Sequence, residues 1–399
     1  MLRHMLKLIW KRKSRNMMLS LEIMLAFLVV FAIAAFGLRY WQLYQLPVGH
    51  GWRNQWSVSI RAAQELPNDS AVFDNFKRSL LTMPEVESVG FSSFSTYEMS
   101  RWTEEYTLPD GSGELTVDGM GVSDDYFATM DMTPVAGRFF SKMDDGADAA
   151  PTVINRKLAE KWFPGKEPVG QLFVVRRDGR KGDGQRYRVV GVVDQYRSHG
   201  EFMDPVYFML PRWIPGNGKE AANTIVLKLR PGTPRIFEAR LNAKLKQIRS
   251  DWNYVITPQA DARSSMLKTQ MIPLVIMAVI AAFLLVMVAF GLFGVLWQNT
   301  TQRVPEIGLR RALGADAGAI YRQIVSEQLL LSSTAIVIAL VLLVQLPLTG
   351  VFGDSLNWPV FFGALALSAS VIYLLSLLCS LYPGWRAARL SPTEALHYE

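Results

Sequence analysis

Four stretches of about 20 to 27 residues are nearly free of charge, and they frame one long polar segment. They run Met17–Leu38, Met271–Trp297, Leu329–Leu348 and Pro359–Tyr382. The first has 22 residues, a helix of about 33 Å at the usual rise, enough to cross a hydrocarbon core. Lipid supplies no hydrogen-bond partners, so each stretch must satisfy its own backbone as a helix. The sequence therefore predicts an α-helical membrane protein with four transmembrane helices. A cleaved leader is disfavoured for the first stretch, because its apolar run is too long and no small-residue cleavage site opens onto a mature polar chain.

Charge sets the direction of the spans. Arg3, Lys7, Lys11, Arg12, Lys13 and Arg15 precede the first, with no acid among them. The loop 298–328 carries Arg303, Arg310, Arg311 and Arg322, and the tail 383–399 carries Arg386 and Arg389. The short loop 349–358 has no Lys or Arg. The bias of basic residues places residues 1–16, 298–328 and 383–399 in the cytoplasm and 39–270 outside. On that assignment the cytoplasmic side holds twelve Lys and Arg against five acids, an excess equal to the whole net charge of +7. Membrane topology thus accounts for the basic character, and no nucleic-acid partner is needed to explain it.

The external segment 39–270 reads as mixed α/β. Near its start, strand WSVSI (Trp56–Ile60) precedes a helix Ala71–Leu81, with Val72, Phe76 and Leu80 on one face and Asp69 or Ser70 as cap. Strand character returns over Val86–Phe94. The same order recurs as strand Thr224–Leu229, a helix from about Pro234 to Ile248, and strand Tyr254–Ile256. Two strand-helix-strand units at opposite ends can pair into one split layer. Between them, about 105–220, lies an inserted, mainly β lobe with strands QLFVV and YRVVGVV and a helix Asn155–Phe163 stopped by Pro164-Gly165. Thr257–Gln270 is either an outward extension of the second span as a stalk, which is favoured, or a loop.

Catalytic and metal motifs are missing. There is no phosphate-binding GxxxxGK[ST] loop, no HExxH and no GxSxG elbow. Cys379 is the single cysteine, and His4, His50, His199 and His397 lie far apart. A disulfide framework and a histidine metal cluster are therefore not expected, and Cys379 reads as packing. The expected chain is non-catalytic and binds no cofactor directly. Glu22 is the conspicuous acid inside a span, where it is costly without a partner. It is either a snorkelling or intersubunit-paired acid, with Arg15 or backbone near Met18 also in reach, or a gating contact. GLFG (Gly291–Gly294) serves either a close helix contact between copies or simple packing.

The loop TTQRVPEIGLRRALGADAGAIYRQIVSEQ is the most informative piece. Pro305 suits a first helical turn, Ile307, Leu309, Ala312 and Leu313 alternate with charges, Gly314 can close the helix, and Asp316 can cap the next. Such a helix is either a lever for a cytoplasmic partner or an interfacial helix lying on lipid.

This loop motif, VPEIGLRRALGA (Val304–Ala315), resembles that of ABC transporter permeases of the MacB/FtsX superfamily. So do the tail YPGWRAARLSPTEALHYE (Tyr382–Glu399) and the external matches VSDDYFATMDMTPVAGRFFS, PTVINRKLAEKWFPGKEPVGQLF and YRVVGVV. The resemblance covers essentially the full chain. It implies a type VII ABC permease architecture with a porter-like external layer and an inserted lobe. It also implies a permease dimer, of two copies or with a paralogue, and a coupling helix that docks on an ATP-binding subunit. Glu306, Arg310 and Arg311 match the charged part of that helix, and Ile307 and Leu309 its apolar contacts. ATP and Mg²⁺ would belong to the partner ATPase, expected on a separate chain because the first span begins at residue 17. The family relays motion by mechanotransmission, without need of a path through the membrane core. A Gram-negative inner membrane, a periplasmic adaptor and an outer-membrane duct follow from the resemblance alone. Export is the leading expectation. Mechanical regulation of an envelope hydrolase and extraction of lipoproteins are the alternatives.

Overall fold

The computed structural model describes residues 13–62, 66–175, 184–216, 222–350 and 356–389. Most of the basic amino terminus 1–16, the centre of the loop 349–358 and the tail beyond Arg389 lie outside the described residues. The chain divides into two compact units, Met1–Gln42 with Met271–Glu399, and Leu43–Gln270.

Among the described residues, four helical stretches are long and apolar enough to cross a membrane. Helix α1 spans Lys13–Gln45. After the head come α6 (Gln259–Gln302), the short α7 (Val304–Ala312), α8 (Ala317–Leu343), α9 (Gln345–Thr349) and α10 (Trp358–Arg389). α1 and α6 both outrun the apolar stretches that mark them in the sequence, because polar residues continue the same helices. The segment Thr257–Gln270 is helical from Gln259 onward and continuous with the second apolar stretch; Thr257 and Pro258 close a strand instead.

Leucine, phenylalanine and alanine fill the four-helix core. Ile23, Phe27 and Phe31 of α1 meet Leu292 of α6, Ala335 and Ala339 of α8, and Phe361, Ala364 and Ile372 of α10. The small residues let α8 and α10 approach closely, and Ser332 and Ser376 hydroxyls, both buried, bond across that seam at 2.7 Å. Cys379 is buried in the same core.

The head opens with β1 (Gln55–Arg61), α2 (Ser70–Leu81) and β2 (Val86–Ser92), and closes with β10 (Thr224–Leu229), α5 (Phe237–Ile248) and β11 (Asn253–Pro258). These four strands form one antiparallel sheet in the order β11-β1-β10-β2. The split layer expected from the two strand-helix-strand units is present, because each strand buries one face beneath a helix. Asp69 is the cap of α2, its carboxylate accepting from the Ala71 amide at 2.9 Å. The buried face of α2 is Phe73, Phe76 and Leu80, with Val72 only partly covered. α5 adds Phe237, Leu241 and Leu245 to the same core.

The inserted lobe holds β3 (Trp102–Thr107), β4 (Leu115–Gly119), α3 (Tyr126–Thr129), β5 (Ala136–Gly137), β6 (Ala150–Asn155), α4 (Arg156–Trp162), β7 (Leu172–Val175), β8 (Arg186–Val193) and β9 (Phe208–Pro211). Their sheet runs β5-β8-β6-β9-β4-β3-β7, and a further β7–β8 pairing closes it upon itself. Closure removes exposed strand edges. Tyr106, Phe173 and Tyr187 pack their rings 5.4 to 5.8 Å apart inside the closed sheet.

Candidate functional site: the α7 loop and a buried clamp

In the four-helix unit, Pro305 sits in the first turn of α7, where its missing N–H costs nothing. Glu306 lies in that first turn and Arg310 and Arg311 in the last, matching the helix dipole at both ends. Glu306 accepts from Arg310 at 2.7 Å and from Arg303 at 3.3 Å. Two contacts fasten α7 to α8: Arg303 to Glu327 at 2.7 Å, and Arg310 to the Gln323 side chain at 2.9 Å. Beneath them Ile307 packs with Ile320 and Ile324 of α8 and Ala387 of α10.

The two apolar residues singled out in this helix have opposite surroundings. Ile307 is 6% exposed and anchors α7 to its own bundle, whereas Leu309 is 57% exposed, as is Leu313 at 80%. The exposed surface of the loop thus includes Leu309 and Leu313 beside half-buried Arg310 and Arg311, and arginine is a residue enriched in protein contacts. Glu22, on α1, has no ion-pair partner among the described residues; its carboxylate occupies the space left by the absent side chain of Gly291 on α6. Gly291 therefore makes room for an acid, while Gly294 has nothing within contact distance.

The head contains a second cluster that the sequence did not announce. Arg197, in the loop after β8, is fully buried. Its guanidinium donates to the carbonyls of Leu43 at 3.0 Å, Pro47 at 3.2 Å and Glu201 at 2.7 Å, and also to that of Leu46. Leu43 ends among the last residues of α1, where backbone carbonyls lack helical partners. A fork of five donors fits such a cluster, and a cation is favoured at a helix carboxyl end. The Arg197 amide also bonds the Val48 carbonyl at 3.0 Å. Burial pushes the Arg197 guanidinium below its ordinary range, and Glu201 opposes that push.

Glu201 carries the cluster to the root of α6, where its carboxylate pairs with Arg263. The Arg263 guanidinium also lies 4.3 Å over the Trp52 ring. Gln259, the first residue of α6 and wholly buried, exchanges hydrogen bonds of 3.0 Å with Ser95 and Thr96. One loop of the lobe, Asp194–Met203, therefore fastens the segment following α1 and the opening turns of α6. A lone arginine in a polar loop carried no signal for this role.

His50 completes the cluster. Its ring nitrogens lie 3.2 Å from the Gly51 carbonyl and 3.3 Å from that of Arg197, and Tyr97 and Tyr196 flank the ring. Burial lowers the imidazole pKa; the two carbonyls and Glu201 pull it upward, and the charge of Arg197 adds to the lowering. With the folded pKa below the unfolded one, the unfolded chain binds the extra proton first. Stability should therefore be intact above the unfolded value of about 6.5 and fall as pH drops through it toward the folded value. Thermal melts of the full chain should show a lower transition at about pH 5.5 than at about pH 7.5, and His50→Gln should flatten that difference. An unchanged slope in the variant would assign the pH dependence to other groups.

Four apolar helices, a helical loop fixed between the second and third, and a two-lobed α/β head define the type VII ABC permease architecture. The chain belongs to the family of the MacB-like periplasmic core domain, whose model matches residues 20–244. The FtsX-like permease C-terminal model matches residues 278–392. Similar proteins include the macrolide export ATP-binding/permease protein MacB of Bdellovibrio bacteriovorus, 25% identical over 70% of this chain and 44% of that protein. MacB of Neisseria gonorrhoeae is 24% identical over 80% of this chain and 49% of its own length. The pyoverdine export ATP-binding/permease protein PvdT of Pseudomonas putida is 28% identical over 66% and 40%. The chain thus spans about half the length of the curated relatives it matches. Among solved structures, the periplasmic region of MacB from Actinobacillus actinomycetemcomitans matches 56% of this chain and 97% of its own, at 14% identity and a TM-score of 0.40.

Proposed function

We propose that the chain is the membrane subunit of an ABC exporter, driven by ATP binding and hydrolysis on a separate ATPase subunit that holds the nucleotide and Mg²⁺. The observation that carries this reading is the mounting of α7. Its inner face is fixed to α8 and α10 by Ile307, the Arg303–Glu327 pair and the Arg310–Gln323 bond, while Glu306, Leu309 and Leu313 are exposed and Arg310 and Arg311 half-buried beside them. A push on the outer face then reaches two spans without first deforming the loop. On this reading the head lies outside the cytoplasm and both termini inside, as the distribution of basic residues favours, and the membrane is a bacterial inner membrane, as it is expected to be for MacB-like relatives. The motion acts on cargo taken from the periplasm or outer leaflet, by mechanotransmission. A second permease, identical or paralogous, completes the pair, and an adaptor with an outer-membrane duct carries the cargo onward. The similar proteins of Bdellovibrio bacteriovorus and Pseudomonas putida are export proteins by name, which favours this over regulation of an envelope hydrolase.

The test exploits the modest worth of an exposed i,i+4 ion pair, about 0.3–0.5 kcal/mol. Glu306→Arg or Arg310→Glu should leave membrane insertion intact but lower permease-stimulated ATPase turnover and transport several-fold. The double exchange restores the pair inside α7 while leaving its outer charges reversed. Continued loss in the double variant is expected for a docking surface. Recovery of turnover would show that the pair merely stabilises the helix and would remove the coupling role. Purification with the native partners then separates the two outcomes of the motion: an adaptor and duct accompany an exporter, an envelope hydrolase a regulator.

A further inference from the structure

A groove of about 670 Å³ lies between the first turns of α8 and the last turns of α10. Gly318 and Tyr321 form one wall, and Leu381, Tyr382, Trp385 and Arg389 the other. Its aromatic side continues as a row: Phe293, Trp297 and Tyr382 are stacked, with the Trp297 and Tyr382 rings 5.8 Å apart and 6° from parallel. Two guanidinium groups lie over this row, Arg386 at 4.3 Å from the Trp297 ring and Arg389 at 4.3 Å from that of Trp385. Neither arginine has an acidic partner among the described residues, and both are exposed.

We propose that this groove binds one anionic glycerophospholipid, its phosphate held between Arg386 and Arg389 and an acyl chain laid along Leu381, Tyr382 and Trp385. The chemistry of each end argues for this occupant. The walls are apolar and aromatic, as an acyl chain requires, and the rim holds positive charge that no carboxylate among the described residues neutralises. Tryptophan and tyrosine at the end of an apolar span suit the level of lipid headgroups, and basic pockets between spans are favourable sites for anionic headgroups. A nucleotide would find no glycine-rich cradle of amides here. The site does not depend on the cargo or on the coupling mechanism proposed above. It does adjoin the coupling loop, because Ala387, between the two arginines, packs against Ile307.

Native mass spectrometry of the full chain in mild detergent tests the proposal, with phosphatidylglycerol and phosphatidylcholine of identical acyl chains offered in equal amounts. Preferential retention of one phosphatidylglycerol per chain is expected. Each of Arg386→Gln and Arg389→Gln should lower that preference about fivefold, and the pair about twenty-five-fold. Trp385→Ala should reduce retention of both lipids. Arg240→Gln in the head, an equal change of charge, serves as control and should keep the original preference. Because both arginines are exposed, size-exclusion profiles should be unchanged. Equal retention of the two lipids, or a preference that survives the double replacement, would reduce the groove to ordinary annular contact. Release of bound lipid whenever a second permease copy or the ATPase binds would identify a protein as the occupant and overturn the proposal.

Discussion

Arg197→Met should lower the melting temperature of the head by about 10 °C. Methionine fills the space of the aliphatic stem but supplies no donors, so the carbonyls of Leu43, Leu46, Pro47 and Glu201 lose the guanidinium together, Leu43 keeping only the Leu46 amide. Glu201 keeps Arg263 but loses the second positive charge beside it. Removing one member of a buried charged network costs about 3–5 kcal/mol, and each kcal/mol shifts the transition of a domain this size by about 2–4 °C. Scanning fluorimetry of the full chain in detergent measures the shift. Hydrogen exchange over residues 43–50 separates a local release of the segment after α1 from general loosening. Arg197→Lys should fall between, because one ammonium with three donors cannot reach every carbonyl the guanidinium serves. A transition within about 2 °C of the parent in the Met variant would show that water replaces the guanidinium at little cost and that the clamp is weak.

Gly49→Ala should be at least as damaging, for a different reason. Gly49 has φ +87°, and a Cβ there would lie 1.8 Å from the Gln195 carbonyl oxygen and 2.6 Å from its carbon. Both are backbone atoms, so no rotamer change relieves the overlap; either the segment after α1 or the loop after β8 must move. Gly146 provides the control, with φ +77° and nothing within 4 Å of the added carbon. Gly146→Ala should cost only the conformational penalty of about 1–2 kcal/mol. Gly49→Ala should exceed it by more than about 2 kcal/mol and sharply lower the yield of folded protein. Equal melting of the two variants would mean that the contact at Gln195 gives way freely.

Which features the sequence disclosed depends on how far apart the partners lie along the chain. The spans were legible because twenty uncharged residues in succession leave few other solutions, and their ends were not, because polar residues carry α1 to Gln45 and begin α6 at Gln259. The four-stranded sheet was legible because each strand-helix-strand unit announces itself locally through alternation and a cap such as Asp69. The closed sheet of the lobe was not, since it depends on pairings such as Asp118 with Phe208, whose neighbours give no hint of register. α7 was read as a helix with charged and apolar faces, but periodicity alone did not say that Ile307 turns inward and Leu309 outward. Arg197 was the least visible residue. It meets a carbonyl 154 positions away, and in the sequence it is one more arginine in a polar loop.

The insertion point of the lobe has a consequence for descent. The lobe leaves the four-stranded sheet at β2 and returns at β10, and these strands are neighbours, with Ser92 directly opposite Thr224. Such a cassette can be exchanged without disturbing the register of the sheet that hosts it, which offers a short route to a different lobe on the same layer. Yet Arg197 and Glu201 travel inside the cassette, while the carbonyls of Leu43, Leu46 and Pro47 and the guanidinium of Arg263 that they hold belong to the host. A grafted lobe lacking that pair would be inherited folded but unfastened, so exchange favours donors that bring their own fastener.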